Sequence, residues 1–378
     1  MLKTGTTLLA SAALVLATAA SADSTRIGMI TTLSGGGSHL GIDVRDGFML
    51  AMELAKADVE VIVRDDARKP DVAKSLANEL VQREKVDILT GIIWSNLAMA
   101  VVPSTVRGGT FYLSPNAGPS ALAGKACHKN YFNVAWQNNN MSEAMGGYMK
   151  AAGVKAPFIL APNYPAGQDM LAGFKSHFGE AEQELFTKLG QKDYAAEIAQ
   201  IRASKADSIF FFLPGGMGIA FMKQYAASGI DLPVYGPAFS FDEIILGAVG
   251  DAALGVKNTS QWAYDLENAA NSRFVEAFRE KYGRTPTLYA SQGYDTANLI
   301  VSALNKAKPS DADAFRSALE MADFDSVRGN FKFGSNHHPI QNIYIREVVP
   351  GANGKPTNKL MGIAVADHQD AYASQCKF

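Results

Sequence analysis

Arg26-Ile27-Gly28-Met29-Ile30-Thr31-Thr32-Leu33-Ser34-Gly35-Gly36-Gly37-Ser38-His39-Leu40-Gly41 is an apolar run that breaks into a Gly/Ser loop. Arg26 to Thr31 reads as a strand, since a short apolar run closed by turn residues suits a sheet buried on both faces. After the loop, Val44 to Ala57 reads as a helix with Phe48, Met49, Met52 and Ala55 on one face, and Val59 to Val63 as the next strand. Strand, loop, helix and strand in this order make a βαβ unit, whose two strands run parallel.

The unit recurs. Pro70 to Glu84 reads as a helix, Val86 to Thr90 as a strand, Asn96 to Arg107 as a helix begun within the Trp94-Ser95-Asn96 turn, and Thr110 to Leu113 as a strand. A second run starts at Pro157 to Ala161 (strand) and Gly167 to Phe178 (helix). It continues with Gln183 to Phe186 (strand), Ala195 to Ala203 (helix), Ser208 to Leu213 (strand), Ile219 to Ser228 (helix) and Pro233 to Gly236 (strand). The expected fold is therefore α/β, with two doubly wound parallel sheets. Ligands of such sheets sit outside the carboxyl ends of the strands. That rule makes Leu33 to Gly41, Trp94 to Asn96 and Ser114 to Ser120 one edge, and Pro162 to Ala166, Pro214 to Met217 and Pro237 to Ser240 another. Two such edges facing one another make a cleft.

Upstream of the first strand, Met1-Leu2-Lys3 precedes an apolar stretch from Leu8 to Ala20 and a small-x-small site, Ala20-Ser21-Ala22. This is the pattern of a secretory signal peptide spanning 1–22 and cleaved after Ala22, with export to the periplasm. The stretch is shorter than the ~20 apolar residues a membrane span needs. Taking 22 from 378 residues leaves 356, enough for two lobes of ~120 to 200 residues. Loss of Lys3 moves the formal charge from -2 to -3, and no block of like charges remains, so nucleic acid is not an expected partner. Only two cysteines occur, Cys127 and Cys376, and an oxidising envelope favours their pairing over two separate thiols.

Several segments together resemble one family. They are Leu33-Ser34-Gly35 with Gly41 and Arg45-Asp46-Gly47, Leu113-Ser114-Pro115-Asn116-Ala117, Asn163-Tyr164-Pro165-Ala166-Gly167, Ser291-Gln292-Gly293-Tyr294-Asp295 and Arg328-Gly329-Asn330-Phe331-Lys332-Phe333. In order and spacing the chain resembles a type I periplasmic solute-binding protein of the branched-chain amino acid group, the receptor of an ABC importer. The resemblance implies two lobes joined by three crossovers, near Val134, near Ser260 and near Gly334 to Pro339. Lobe I is then 23–134 plus 262–335, and lobe II 135–261 plus 336–378. It also implies a monomer that hands its solute to membrane permease subunits and uses no cofactor.

The resemblance places a hydroxyl, Ser95, against the solute carboxylate, with Trp94 and Asn96 beside it. Capping of the following helix is the other role open to Ser95 and Asn96. Asn116, Ala117 and Gly118 match the next contact segment, and Tyr164 sits where relatives set an aromatic over the ligand. Phe239 and Trp262 are further aromatic candidates, whereas Phe241 and Tyr264 read as core. His39 either donates to the ligand or sits on the cleft rim. One departure bears on the solute: where branched-chain amino acid receptors carry a glutamate for the ammonium group, this chain has Ala238, with Asp242 and Glu243 one turn further on. A buried ammonium without a carboxylate partner is costly. The expected solute is thus a small carboxylate lacking an α-amino group, aromatic or short and branched, with an amino acid as the alternative.

Other classes fit less well. A dinucleotide fold wants Gly-x-Gly-x-x-Gly, and this loop has glycines at 35, 37 and 41. No Gly-x-Ser-x-Gly elbow for a serine hydrolase is present, and His128, His177, His337, His338 and His368 show no metal-ligand spacing beyond the His337-His338 pair, which reads as solvated hinge or loop. A ligand sensor with the same fold remains open, because it would use the same closure.

Overall fold

The computed structural model describes residues 24–352 and 354–378; the expected signal peptide and the residue following it lie outside them. The first sheet is built from β1 (Thr25–Thr31), β2 (Val59–Asp65), β3 (Ile88–Thr90), β4 (Phe111–Ser114) and β5 (Tyr131–Asn133), all parallel, in the order β2-β1-β3-β4-β5. Its crossovers are α1 (Ser38–Leu54), α2 (Pro70–Gln82), α3 (Ser95–Arg107) and α4 (Ser120–Ala123). The apolar run that opens the chain becomes β1, flanked by β2 and β3. Its five C-terminal residues are buried, as a central parallel strand requires.

The chain then passes to a second sheet. After α5 (Asn140–Ala151) come β6 (Pro157–Pro162), α6 (Pro165–Phe178), β7 (Gln183–Thr187), α7 (Ala195–Ala203), β8 (Ser208–Phe211), α8 (Gly216–Ala227), β9 (Val234–Pro237), α9 (Glu243–Val249) and β10 (Lys257–Ser260). The parallel order β7-β6-β8-β9-β10 repeats that of the first sheet, so each has its switch point beside its first strand.

A return follows. Helices α10 (Ala269–Tyr282), α11 (Leu288–Leu304) and α12 (Ala312–Glu320) come next, and α11 and α12 close a core with the first sheet and α1: Ile27, Met29, Phe111 and Phe132 of the sheet and Phe48 of α1 share it with Ala297, Ile300, Phe315 and Leu319. Helices α1 and α11 meet backbone to backbone. A methyl at Gly47 would stand 1.9 Å from the Ala290 carbonyl oxygen and one at Gly293 2.0 Å from that of Val44, so glycine permits the approach.

A third passage leads to β11 (Phe331–Phe333), β12 (Pro339–Pro350) and β13 (Pro356–His368), which join the second sheet antiparallel beside β10. The second sheet is therefore mixed, an edge the strand-helix alternation did not foretell. Two devices tie the passages together. Arg328 is buried, pairs Nε with Asp295 Oδ2 at 2.9 Å, and donates to the carbonyls of Val134 and Ala135 at 2.6 and 3.0 Å. The disulfide Cys127–Cys376 fastens the C-terminal tail to the loop between α4 and β5.

Several helices start earlier than their apolar period indicates. Helix α1 begins at Ser38, because Gly37 takes a left-handed conformation (φ 91°) ahead of it. Helix α6 begins at Pro165, whose fixed φ suits the first helical position.

Candidate functional site

The carboxyl ends of the two sheets line one common cleft, the place where ligands of such sheets bind. From the first sheet come Leu40 of α1, Ile93, Trp94 and Ser95 at the β3-α3 junction, and Asn116 and Ala117 after β4. From the second come Tyr164, Ala166 and Met170 at the β6-α6 junction, Phe212 and Pro214 after β8, and Phe239 after β9. Trp136 and Asn138 of the first passage and Tyr289 of α11 complete the lining.

Six aromatic rings dominate it. Trp136 and Phe239 lie 4.4 Å apart between centroids, Tyr164 stacks on Phe212 at 6.3 Å and 13°, and Trp94 faces Tyr164 at 6.4 Å. Rings at such separations pack directly on one another, forming an apolar wall against which a flat solute body can lie. Among the described residues no charged side chain lines the cavity; behind the Trp94 ring the Arg68 guanidinium lies 5.1 Å from its centroid.

Polar groups converge from a few places. Helices α3 and α6 both start at the cavity, and neither has a side-chain cap. The first amides, from Ser95 in α3 and from Ala166 in α6, whose Pro165 has no N–H, lack a partner within the helix, so they present donors and the positive end of the helix dipole. Ser95 Oγ accepts from Asn138 Nδ2 at 3.2 Å, which leaves the hydroxyl proton to donate. Asn116 donates Nδ2 to Gln292 Oε1 at 2.8 Å, leaving its carbonyl oxygen. The Trp136 indole N–H is buried without a partner. Burial drives the Tyr164 phenol far above its ordinary range, with Arg68 weakly opposing, so it stays protonated. These groups can receive a carboxylate with neutral donors and hold a flat ring; they offer no carboxylate to an ammonium.

Of the ten residues read from the sequence as contacts, Trp94, Ser95, Asn116, Ala117, Tyr164 and Phe239 line the cavity. Four do not. Trp262 is core: its indole donates to Asn271 Oδ1 at 2.7 Å and its ring packs edge-on to Phe274 at 6.0 Å. Gly118 lies under the first passage, where a methyl would stand 2.0 Å from the Trp136 carbonyl oxygen. Asn96 points its Oδ1 into a buried place without a partner. His39 reaches the second half at the rim, where its Cε1 would lie 3.4 Å from a methyl at Gly215, and burial lowers its pKa so that it is neutral.

Ala238 is buried but does not line the cavity; Phe239 occupies that stretch of wall. The two acids after it are engaged elsewhere. Asp242 caps α9 through Oδ1, which accepts from the Ile244 and Ile245 amides while Oδ2 is buried without a hydrogen-bond partner, and Glu243 accepts from Thr357 and Asn358. Trp136, Asn138, Phe212 and Tyr289 went unread, because each lies in a passage, strand or helix whose local pattern says only that it is buried.

Known proteins share this architecture. A family model described as periplasmic binding protein matches residues 24–355. The Leu/Ile/Val-binding protein homolog 6 of Brucella melitensis biotype 1 is 30% identical over 364 residues, 91% of this chain and 92% of that protein. A solute-binding protein of an ABC transporter from R. palustris, solved in complex with benzoate, is 30% identical with a TM-score of 0.88, covering 94% of this chain and 100% of that one. Another, from Rhodopseudomonas palustris BisB5 in complex with 3,4-dihydroxy benzoic acid, is 29% identical with a TM-score of 0.83, covering 92% and 98%.

Proposed function

The chain belongs to the periplasmic binding protein family and is a solute receptor; on that premise we propose that its solute is a small aromatic carboxylate lacking an α-amino group, delivered to the permease of an ABC importer. The observation that carries the reading is the lining itself: six rings, uncharged donors at Ser95 and the starts of α3 and α6, and no acid. The carboxylate rests at the α3 start with Ser95, and the ring lies among Trp94, Trp136, Tyr164 and Phe239. Binding an anion on amides avoids burying a counter-charge. The benzoate and dihydroxybenzoic acid complexes of two relatives support this choice. The names of the Brucella relatives favour a branched-chain amino acid as the second reading.

Transport follows from closure. Solute touching both sheet edges stabilises the closed arrangement over open ones and shifts the population toward the form the permease recognises. A thermal-shift panel on the mature protein, unfolded and refolded to strip carried-over solute, tests the class. Benzoate and 3,4-dihydroxybenzoate should raise the melting temperature by mass action. A rise with leucine, isoleucine or valine alone would refute the aromatic-acid reading.

A further inference from the structure

Beside the cavity, a chain of hydrogen bonds links the two halves of the molecule. Asp169 lies on α6, after β6 of the second sheet, and Ser120 opens α4, after β4 of the first. Asp169 Oδ1 accepts from Ser120 Oγ at 2.7 Å, and Oδ2 accepts from the Ser120 amide at 2.9 Å. The same Oδ2 accepts from Asn138 Nδ2 at 2.9 Å, and that Nδ2 also donates to Ser95 Oγ at 3.2 Å. Asn138 and Ser95 both line the cavity; Asp169 does not.

We infer that Asp169 is a positioning residue that sets the polarity of the solute site through Asn138 and Ser95. An ionised carboxylate only accepts, so Asn138 must turn its NH₂ group rather than its oxygen toward Asp169. The second hydrogen of that NH₂ then falls on Ser95 Oγ, which becomes an acceptor on that side. The Ser95 proton is left to point elsewhere, to an acceptor in the cavity. Without Asp169 the Asn138 amide is free to reverse, present its oxygen to Ser95 and draw the hydroxyl proton away from the solute. The same carboxylate also holds Ser120, so the arrangement that orients Ser95 is completed only when α6 and α4 stand together. Orientation of the donor and approach of the two halves are thus one event.

The inference rests on the reading of the solute as a carboxylate, and its test is a double-mutant cycle on benzoate affinity by calorimetry. Asp169→Ala and Ser95→Ala should each weaken benzoate about tenfold or more, the loss of one charge-assisted donor. In the Ser95→Ala background, adding Asp169→Ala should cost at most about threefold, because the hydroxyl it orients is gone. Losses that multiply in full would overturn the relay and leave Asp169 a purely structural group. If the wild type ignores benzoate and binds leucine, the aromatic reading falls, yet the same cycle run with leucine still tests the relay, because its carboxylate requires the same proton. A solute-free arm uses amide hydrogen exchange. The Ser120 amide should exchange faster in Asp169→Ala, and unchanged exchange would overturn the bridge between α6 and α4.

Discussion

Replacing Arg328 by methionine keeps the aliphatic stem and removes the guanidinium that joins the first passage to the third. In the folded protein that group is 1% exposed and contacts Asp295, the carbonyls of Val134 and Ala135, and Gln341 Oε1 at 2.9 Å. Without it, Asp295 retains only the Ser326 hydroxyl at 2.6 Å and the Val327 amide at 3.1 Å. The Ala135 carbonyl keeps Gln341 Nε2 at 2.6 Å, whereas the Val134 carbonyl loses its charged donor. Stranding a buried carboxylate costs about 3–5 kcal/mol and an unmet buried carbonyl roughly 1–3 more. Allowing for relaxation, the loss should be about 4–6 kcal/mol, or roughly 8–24 °C for a cooperative unit of lobe size. Urea unfolding followed by circular dichroism measures it. Asp295→Leu added to Arg328→Met should recover more than half, since an apolar pair replaces the stranded acid. A single variant within about 1 kcal/mol of the wild type, or a double variant no better than the single, would refute the reasoning.

Three further outcomes are expected. Cys127→Ser with Cys376→Ser opens a bridge between residues 249 apart and should cost up to about 5 kcal/mol in the loop-entropy account. Reductant should lower the wild-type melting temperature and leave the double variant unmoved. Burial, with Asp43 adding repulsion, raises the Asp242 carboxyl to about 7, so the folded state holds its proton more tightly than the unfolded chain. The stability this lends is full below the ordinary carboxylate range and is lost as pH rises to about 7. Asp242→Asn keeps an oxygen to cap α9 and should flatten part of that slope in thermal melts, the remainder coming from Asp43, which burial raises to about 6, and from Asp66 and Asp169, which burial also raises. Tyr164→Ala removes the ring stacked on Phe212 and should weaken benzoate at least tenfold with native circular dichroism; equal affinity would take Tyr164 out of the site.

The parallel cores were legible because period and punctuation agree there: the apolar run from Phe158 to Ala161 is bounded by Pro157 and Pro162, that from Ile27 to Ile30 leads through Thr31 and Thr32 into the Gly/Ser loop, and the helices that follow carry one apolar face. The switch-point rule led from β3 and β6 to the loops holding Trp94, Ser95 and Tyr164, and the family resemblance singled out those side chains within them. What stayed hidden has a common cause. Trp136, Asn138 and Tyr289 reach the cavity through the passages and the return of α11, whose placement is a tertiary fact. Trp262 and Phe239 look alike in sequence, each an aromatic just past a strand. Only packing separates them, with Asn271 and Phe274 claiming the first and the cavity the second. The antiparallel hairpin of β12 and β13 did carry a local signal, the β-branched and aromatic run Ile343-Tyr344-Ile345 with Val348-Val349 followed by the turn residues Pro350-Gly351, but its joining to the second sheet beside β10 is a tertiary fact.

Calorimetric titration of the stripped, mature protein with 4-methylpentanoate and with leucine, which differ only in the α-amino group, tests the central claim most directly, with benzoate as reference. A cavity of rings and neutral donors without an acid should bind benzoate tightly and 4-methylpentanoate measurably, and should reject leucine because its ammonium finds no counter-charge. Leucine binding as tight as benzoate or tighter would contradict it.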